Sequence, residues 1–409
     1  MRFSFQSMFC FFAMTICVMA GVAHAQDAGS VGERNPEQAM FLAGWLLYPS
    51  VTQATVFNDN INRTETNKKS GFGYDLNPSF ELYRDNGIQK TDIYAVLDAQ
   101  FYNGELEAQQ VQGAFGISHT LKLQPDLSVN VSGGFVRQTG VQEAINPQQA
   151  TSPLSPLWNA LAVSGQEETQ WSAAVSVEKT FGEGFLSLSS MVQNDLYDDA
   201  DLKGQNAVST SASAKAGYYI APAIYAFVEP GVQLRTYQVA GLDAQTYSAV
   251  AGVGTDRSAT VKGEIYAGFA SQHSSSPVSG ASQSPVVGMN VTYVPTPSLT
   301  FKANIEHNVS ISAQTLPTAQ TVSTSRAVAT GRYMLSPDWF AEGRVGYGLT
   351  HYNQDKADDH YVTTGMGLGY DIRRNFDLRL DYQYVNLTSH LTHAGYQQDI
   401  YTAGINYHY

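Results

Sequence analysis

The sequence predicts an all-β protein: a transmembrane, antiparallel, up-and-down β-barrel of about 18 strands (range 16–18), with short periplasmic turns and longer extracellular loops. Three observations carry this reading. Apolar and polar residues alternate at period two in one segment after another, and a strand sends successive side chains to opposite faces. Beyond residue 25 no apolar run reaches the roughly 20 residues of a membrane helix, so a membrane-spanning chain must close into a barrel. The links between segments alternate short and long, as in a meander with two different ends.

Residues 1–25 read as a cleaved signal peptide. Arg2 supplies a thin charged region, Met8 to Val22 the apolar region, and Ala23-His24-Ala25 the small-x-small cleavage site. Both cysteines, Cys10 and Cys17, leave with it, so the expected mature chain has neither disulfide nor thiol chemistry. Loss of Arg2 takes Lys plus Arg from 23 to 22 against 36 Asp plus Glu, a net charge of −14. That acidity argues against a nucleic-acid partner, which needs clustered cations. Charged residues make up only 14 % of the chain, where soluble domains carry about a quarter. Residues 26–43 read as a short periplasmic lead-in, and 44–409 as the barrel.

In chain order the expected strands are 44–57, 73–84, 91–102, 109–122, 127–138 and 168–181. Then come 184–194, 206–220, 223–238, 245–255, 258–271 and 284–294. The last are 298–311, 321–334, 338–351, 360–372, 375–388 and 396–409. Leu299, Phe301, Ala303 and Ile305 stand opposite Thr300, Lys302, Asn304 and Glu306. Phe376, Leu378, Leu380, Tyr382 and Tyr384 stand opposite Asp377, Arg379, Asp381 and Gln383. The even-numbered links are short and carry turn chemistry, as in Pro125-Asp126, Gly182-Glu183, Ala221-Pro222 and Ser336-Pro337. The odd-numbered links are longer and more polar: Asn58–Phe72, Gly140–Glu167, Asp195–Gln205, Gln272–Gln283, Ser312–Gln320 and Tyr352–Asp359.

The final segment, Gly395 to Tyr409, sets Tyr401, Ala403, Ile405, Tyr407 and Tyr409 on one face. It resembles the C-terminal signature read by the outer-membrane barrel-assembly machinery, with Tyr401, Ile405, Tyr407 and Tyr409 as its apolar side. Its expected neighbour is the first strand, around Gly44–Phe57, which closes the ring. Aromatics recur near segment ends, at Trp45 and Tyr48, Trp171 and Phe181, Tyr218 and Tyr219, Trp339 and Phe340, Tyr407 and Tyr409. They read as interfacial girdles.

Gly44-Trp45-Leu46-Leu47-Tyr48-Pro49-Ser50-Val51 is followed by Val56-Phe57-Asn58-Asp59-Asn60-Ile61 and then Gly73-Tyr74-Asp75-Leu76-Asn77-Pro78-Ser79-Phe80. Over residues 40–105 this pattern resembles the beta-barrel porin-2 family of Gram-negative outer-membrane proteins. The resemblance implies a large outer-membrane barrel with a porin-like role, in contact with outer-membrane lipid and lipopolysaccharide. It supplies no solute; an accessory role in exopolysaccharide export, with polysaccharide-export partners, is one form it takes.

The polar faces assign Asp98, Lys262, Glu264, Lys302, Glu306, Arg326, Arg332, Glu342, Arg344, Asp377, Arg379 and Asp381 to the lumen. With both signs present they make a hydrated path without strong ion selectivity, or ladders that stiffen the wall. The longest link, Gly140–Glu167, has an apolar middle (Pro153, Leu157, Trp158, Leu161) that either folds into the mouth as a constriction or packs on the rim. HExxH, GxSxG, P-loop and Rossmann patterns are absent, and neither the acidic loops nor the histidines have metal-ligand spacing. No enzyme activity, cofactor or metal is therefore expected. The function reads as a porin-like channel for hydrophilic solutes; a non-conducting structural or adhesion barrel is the alternative, and an outer-membrane hydrolase ranks below both.

Overall fold

The structure, a computed structural model, describes residues 39–104, 110–139, 167–197, 204, 206–239, 241–275, 281–312, 320–353, 356–373, 375–389 and 395–409. Its strands, in chain order, are β1 (Met40–Leu42), β2 (Trp45–Asn58), β3 (Gly71–Asp85), β4 (Gln89–Tyr102), β5 (Gln110–Gln124), β6 (Leu127–Thr139) and β7 (Glu167–Phe181). Next are β8 (Gly184–Tyr197), β9 (Ala207–Ala221), β10 (Ile224–Tyr237), β11 (Ala244–Thr255), β12 (Val261–Ser274) and β13 (Ala281–Thr296). The last are β14 (Leu299–Ser312), β15 (Gln320–Met334), β16 (Trp339–Tyr352), β17 (Ala357–Arg373), β18 (Phe376–Ser389) and β19 (Gly395–His408).

β2 to β19 are the staves, and each pairs antiparallel with the next in chain order. β19 then pairs with β2, from Ile400↔Asn58 to His408↔Ser50, and the ring is closed. Closure leaves no stave edge unpaired, which is the condition for a sheet to cross a membrane. No helix among the described residues is long and apolar enough to cross one.

All eighteen expected strands are present, with ends displaced by up to three residues, as in Val261–Ser274 for 258–271. The link expected to span Tyr352–Asp359 is shorter, because Tyr352 pairs directly with Ala357 and β17 runs on through Asp358, Asp359 and His360. Strand pairing continues above the apolar belt, where water tolerates polar side chains on both faces, so hydropathy underestimates the stave. The short turns are built from local chemistry. In the β3–β4 turn Asn86 Oδ1 accepts from the backbone N–H of Gln89 at 2.7 Å and of Ile88 at 3.1 Å, and Gly87 takes φ = 84°. In the β5–β6 turn the Lys179 ammonium lies 2.5 Å from Asp126 and, by hydrogen bonding it, holds that carboxyl below the usual carboxylate range.

The two faces of the ring differ as the alternation requires. Phe72 and Phe269 are 67 % and 74 % exposed on the convex side, and Tyr401, Ile405, Tyr407 and Tyr409 share that side. Such exposure is unfavourable in water and favourable against lipid chains. Ring pairs mark the belt's two edges: Phe57 with Phe72 at 4.8 Å and Tyr382 with Tyr401 at 5.1 Å towards the long loops, Phe376 with Tyr407 at 5.0 Å and Trp339 with Tyr370 at 4.7 Å towards the short turns.

The girdle reading needs one correction. Adjacent aromatics cannot both face lipid in a period-two strand, so each neighbouring pair splits. Tyr218 and Trp339 face outward, whereas Tyr219 and Phe340 turn inward, and Phe340 is only 3 % exposed.

β1 lies within the stretch read as lead-in. It folds back on the start of β2 through Ala43 and Gly44, whose φ values of 48° and 87° suit a two-residue hairpin loop. It covers the part of β2 that extends past the end of β19.

Candidate functional site: the inner wall

The concave face carries the polar half of every stave. The residues expected at the lumen, Asp98, Lys262, Glu264, Lys302, Glu306, Arg326, Arg332, Glu342, Arg344, Asp377, Arg379 and Asp381, all occupy positions opposite the apolar belt. Register brings many of them together. On β14–β18, Glu306 faces Arg326 across one rung and Arg332 faces Glu342 across another. Glu342 is the hub: Arg332 lies 3.2 Å away, Arg379 3.9 Å, and Lys302 and Arg344 act on it electrostatically. Arg379 also reaches Asp377 at 3.4 Å. Asn406 donates to Asp377 at 2.9 Å and accepts from Thr52 at 3.0 Å, which carries the network over the closing seam into β2.

This cluster has room because β17 is glycine-rich on its inner face. A Cβ at Gly365 would meet Arg344 Nε at 2.3 Å, one at Gly367 would meet Asp381 Oδ1 at 2.4 Å, and one at Gly369 would meet Phe340 Cζ at 2.0 Å. The outer end of the Phe340 ring occupies the space over Gly369, with the Arg332 guanidinium 3.9 Å and the Arg379 guanidinium 5.2 Å from its ring centre. The ring face attracts both cations.

A second group sits on β8–β12. Glu264 pairs with Lys215 and accepts from the Tyr225 hydroxyl at 2.5 Å. Lys215 Nζ stands 4.0 Å over Phe227, within an aromatic cluster of Phe185, Tyr225 and Phe227 flanked by Tyr219 and Tyr266. Glu264 was legible from its strand. Lys215 was not, because Ala214 and Ala216 beside it give the segment little contrast between faces.

A third group, at the long-loop end, comes from the Asn58-Asp59-Asn60-Ile61 motif. The link after β2 is fastened to the closing strand by its own side chains. Asp59 Oδ1 accepts from the Asp399 N–H at 2.7 Å, and Asn60 Nδ2 donates to the carbonyls of Thr64 and Gln397, each at 2.8 Å. Gln398 Nε2 returns a bond to the Asn60 carbonyl at 2.8 Å, and Asn60 is fully buried. Ile61 packs with Val56, Tyr102 and Ile400. The motif therefore clasps the seam above the last paired rung.

Among the described residues no three His, Cys, Asp or Glu side chains converge as a metal site would require. Pro153, Leu157, Trp158 and Leu161, and the expected cleavage residues Ala23 and Ala25, lie outside the described residues.

Comparison with known families gives one match, over residues 40–409, to the family described as "Putative beta-barrel porin 2". The chain belongs to the beta-barrel porin 2 family. The match starts at the first residue of β1 and takes in the seam clasp and every stave, and membership indicates an outer-membrane protein. No curated protein matches the sequence. Among solved structures, the outer membrane protein OpdK of Pseudomonas aeruginosa is similar at 12 % identity and a TM-score of 0.45, over 90 % of this chain and 100 % of that one. OccAB3 of Acinetobacter baumannii is similar at 8 % identity and 0.45, over 90 % and 100 %. The siderophore receptor PirA of Acinetobacter baumannii is similar at 7 % identity and 0.43, over 89 % and 80 %.

Proposed function

We propose that this porin-2 barrel is a passive channel for small hydrophilic solutes across the outer membrane, and not an enzyme. The observation that carries the reading is the inner wall: a closed ring of eighteen staves whose concave face carries the polar side of the staves, with aromatic rings set among them, and bears charges of both signs in cross-strand pairs. Rings of sixteen to eighteen strands leave an aqueous interior unless something fills it. Cations and anions that already neutralise one another set a transverse field without a net bias, so the channel discriminates weakly between ions.

Planar bilayers test this. The purified barrel should give discrete conductance steps with a reversal potential near zero in a salt gradient. Glu342→Gln removes one negative charge from a hub that two arginines contact and should move the reversal potential towards anion preference. A folded barrel that never conducts would overturn the channel reading in favour of a structural or adhesion barrel. Removing residues 153–163 tests the proposed constriction: a rise in step size is expected, and an unchanged step discards it. Current block by exopolysaccharide fragments, added from the periplasmic side, tests the export role that the family resemblance brings in.

A further inference from the structure

We propose that Asp75, Asp98 and Gln100 form a binding site for a divalent cation, calcium in the first instance, on the inner wall of β3 and β4. Gln100 is the direct cross-strand partner of Asp75, and Asp98 lies two residues along β4 on the same inward face. The carboxyl groups of Asp75 and Asp98 are within hydrogen-bonding reach of one another, and the neighbouring charge that acts on Asp75 is the Asp98 carboxylate. Asp98 is 7 % exposed. Two adjacent carboxylates withdrawn from water repel, and they persist only with a proton or a cation between them.

The orphaned atoms distinguish these two. Asp75 Oδ1, Asp98 Oδ1 and Gln100 Oε1 are each buried without a hydrogen-bond partner, and all three are acceptors. One shared proton satisfies the carboxyl pair and leaves the amide oxygen unpaired. A cation satisfies all three at once. Two carboxylates supply the charge that matches a divalent ion, and an oxygen-only donor set completed by lumen water suits calcium. Asp98 is also positioned as a ligand should be: its other oxygen, Oδ2, accepts from Gln112 Nε2 at 3.2 Å, which fixes the carboxylate plane. The site lies beside Tyr102, whose ring packs on Ile61 of the seam clasp and whose hydroxyl feels both carboxylates. Bound calcium would therefore brace the wall beneath that clasp.

The test uses the full mature chain refolded into detergent free of lipopolysaccharide, which itself binds calcium. After stripping with EDTA, calorimetric titration with calcium chloride should show one saturable site per chain and a rise in the thermal transition. Both effects should vanish in Asp98→Asn, and Gln100→Ala should weaken binding by about tenfold or more. Terbium in place of calcium should give luminescence excited through Tyr102, lost in Tyr102→Leu. A wild-type barrel that shows no saturable binding overturns the proposal, and so does unchanged affinity in Asp98→Asn. A shared proton, with the Gln100 amide turned to donate, predicts the first of these results. If Asp98→Asn does not fold, Gln100→Ala decides: undiminished affinity overturns the site.

Discussion

At the scale of single residues, the inner wall depends on charges that would be costly alone. Lys215 and Glu264 are both buried, so neither tolerates the loss of its partner. Glu264→Ala should lower unfolding stability by about 3–5 kcal/mol, because it leaves Lys215 uncompensated and the Tyr225 hydroxyl unbonded. The double variant Lys215→Met/Glu264→Met should recover much of that loss; denaturant titration of the three proteins in detergent checks it, and an undiminished deficit in the double variant would refute the pairwise account. Asn60 makes a different kind of contribution. Its buried amide bonds the part-buried carbonyls of Thr64 and Gln397 across the seam, so Asn60→Ala should cost about 1–3 kcal/mol. The readout is faster amide exchange confined to residues 59–70 and 395–400; uniform protection would show that the clasp does not hold the seam.

At the scale of an element, β17 shows how a stave can be shaped by what it lacks. Its inner glycines leave hollows that side chains of β16 and β18 fill. Gly369→Ala would drive a methyl group into the Phe340 ring, and overpacking of this kind costs about 1–3 kcal/mol. The transition temperature should fall in that variant and recover in Gly369→Ala/Phe340→Leu; full stability of the single variant would mean that the ring moves freely. Cleavage after Ala25 is a further proposal at this scale, checked by N-terminal sequencing of the exported protein, with Gln26 first.

At the scale of the whole molecule, one pairing turns a sheet into a closed barrel. Thr55 and Ala403 are direct partners across β2 and β19, on the outward face. Cysteines at these two positions should cross-link under mild oxidation only in the folded barrel. The linked protein should keep its folded mobility on gels after heating that opens the unlinked one. Failure to link would remove the closure on which the proposed conduction rests.

Much of this was legible without a structure, for a physical reason. A lipid-facing stave must alternate, and alternation is a property of neighbouring residues, so Leu299–Glu306 or Phe376–Asp381 declare their two faces directly. Turn residues such as Asn86 and Gly87 act over three or four positions, and so the ends of the staves are also local. Strand count, the order of the meander, the lipid face of Tyr401, Ile405, Tyr407 and Tyr409, and the inward set from Asp98 to Asp381 all follow from such short-range rules. What only the tertiary structure decided is which inward residues meet. Lys215 and Glu264 are separated by two staves, Arg379 reaches Glu342 over the glycines of β17, and Asn60 locks onto Gln397 from the far end of the chain. These contacts depend on the curvature and stagger of the closed ring, and no window of sequence contains both partners. The same holds for Phe340 and Tyr219, where the strand's period splits a pair of aromatics and the closed ring gives the inward member its partners.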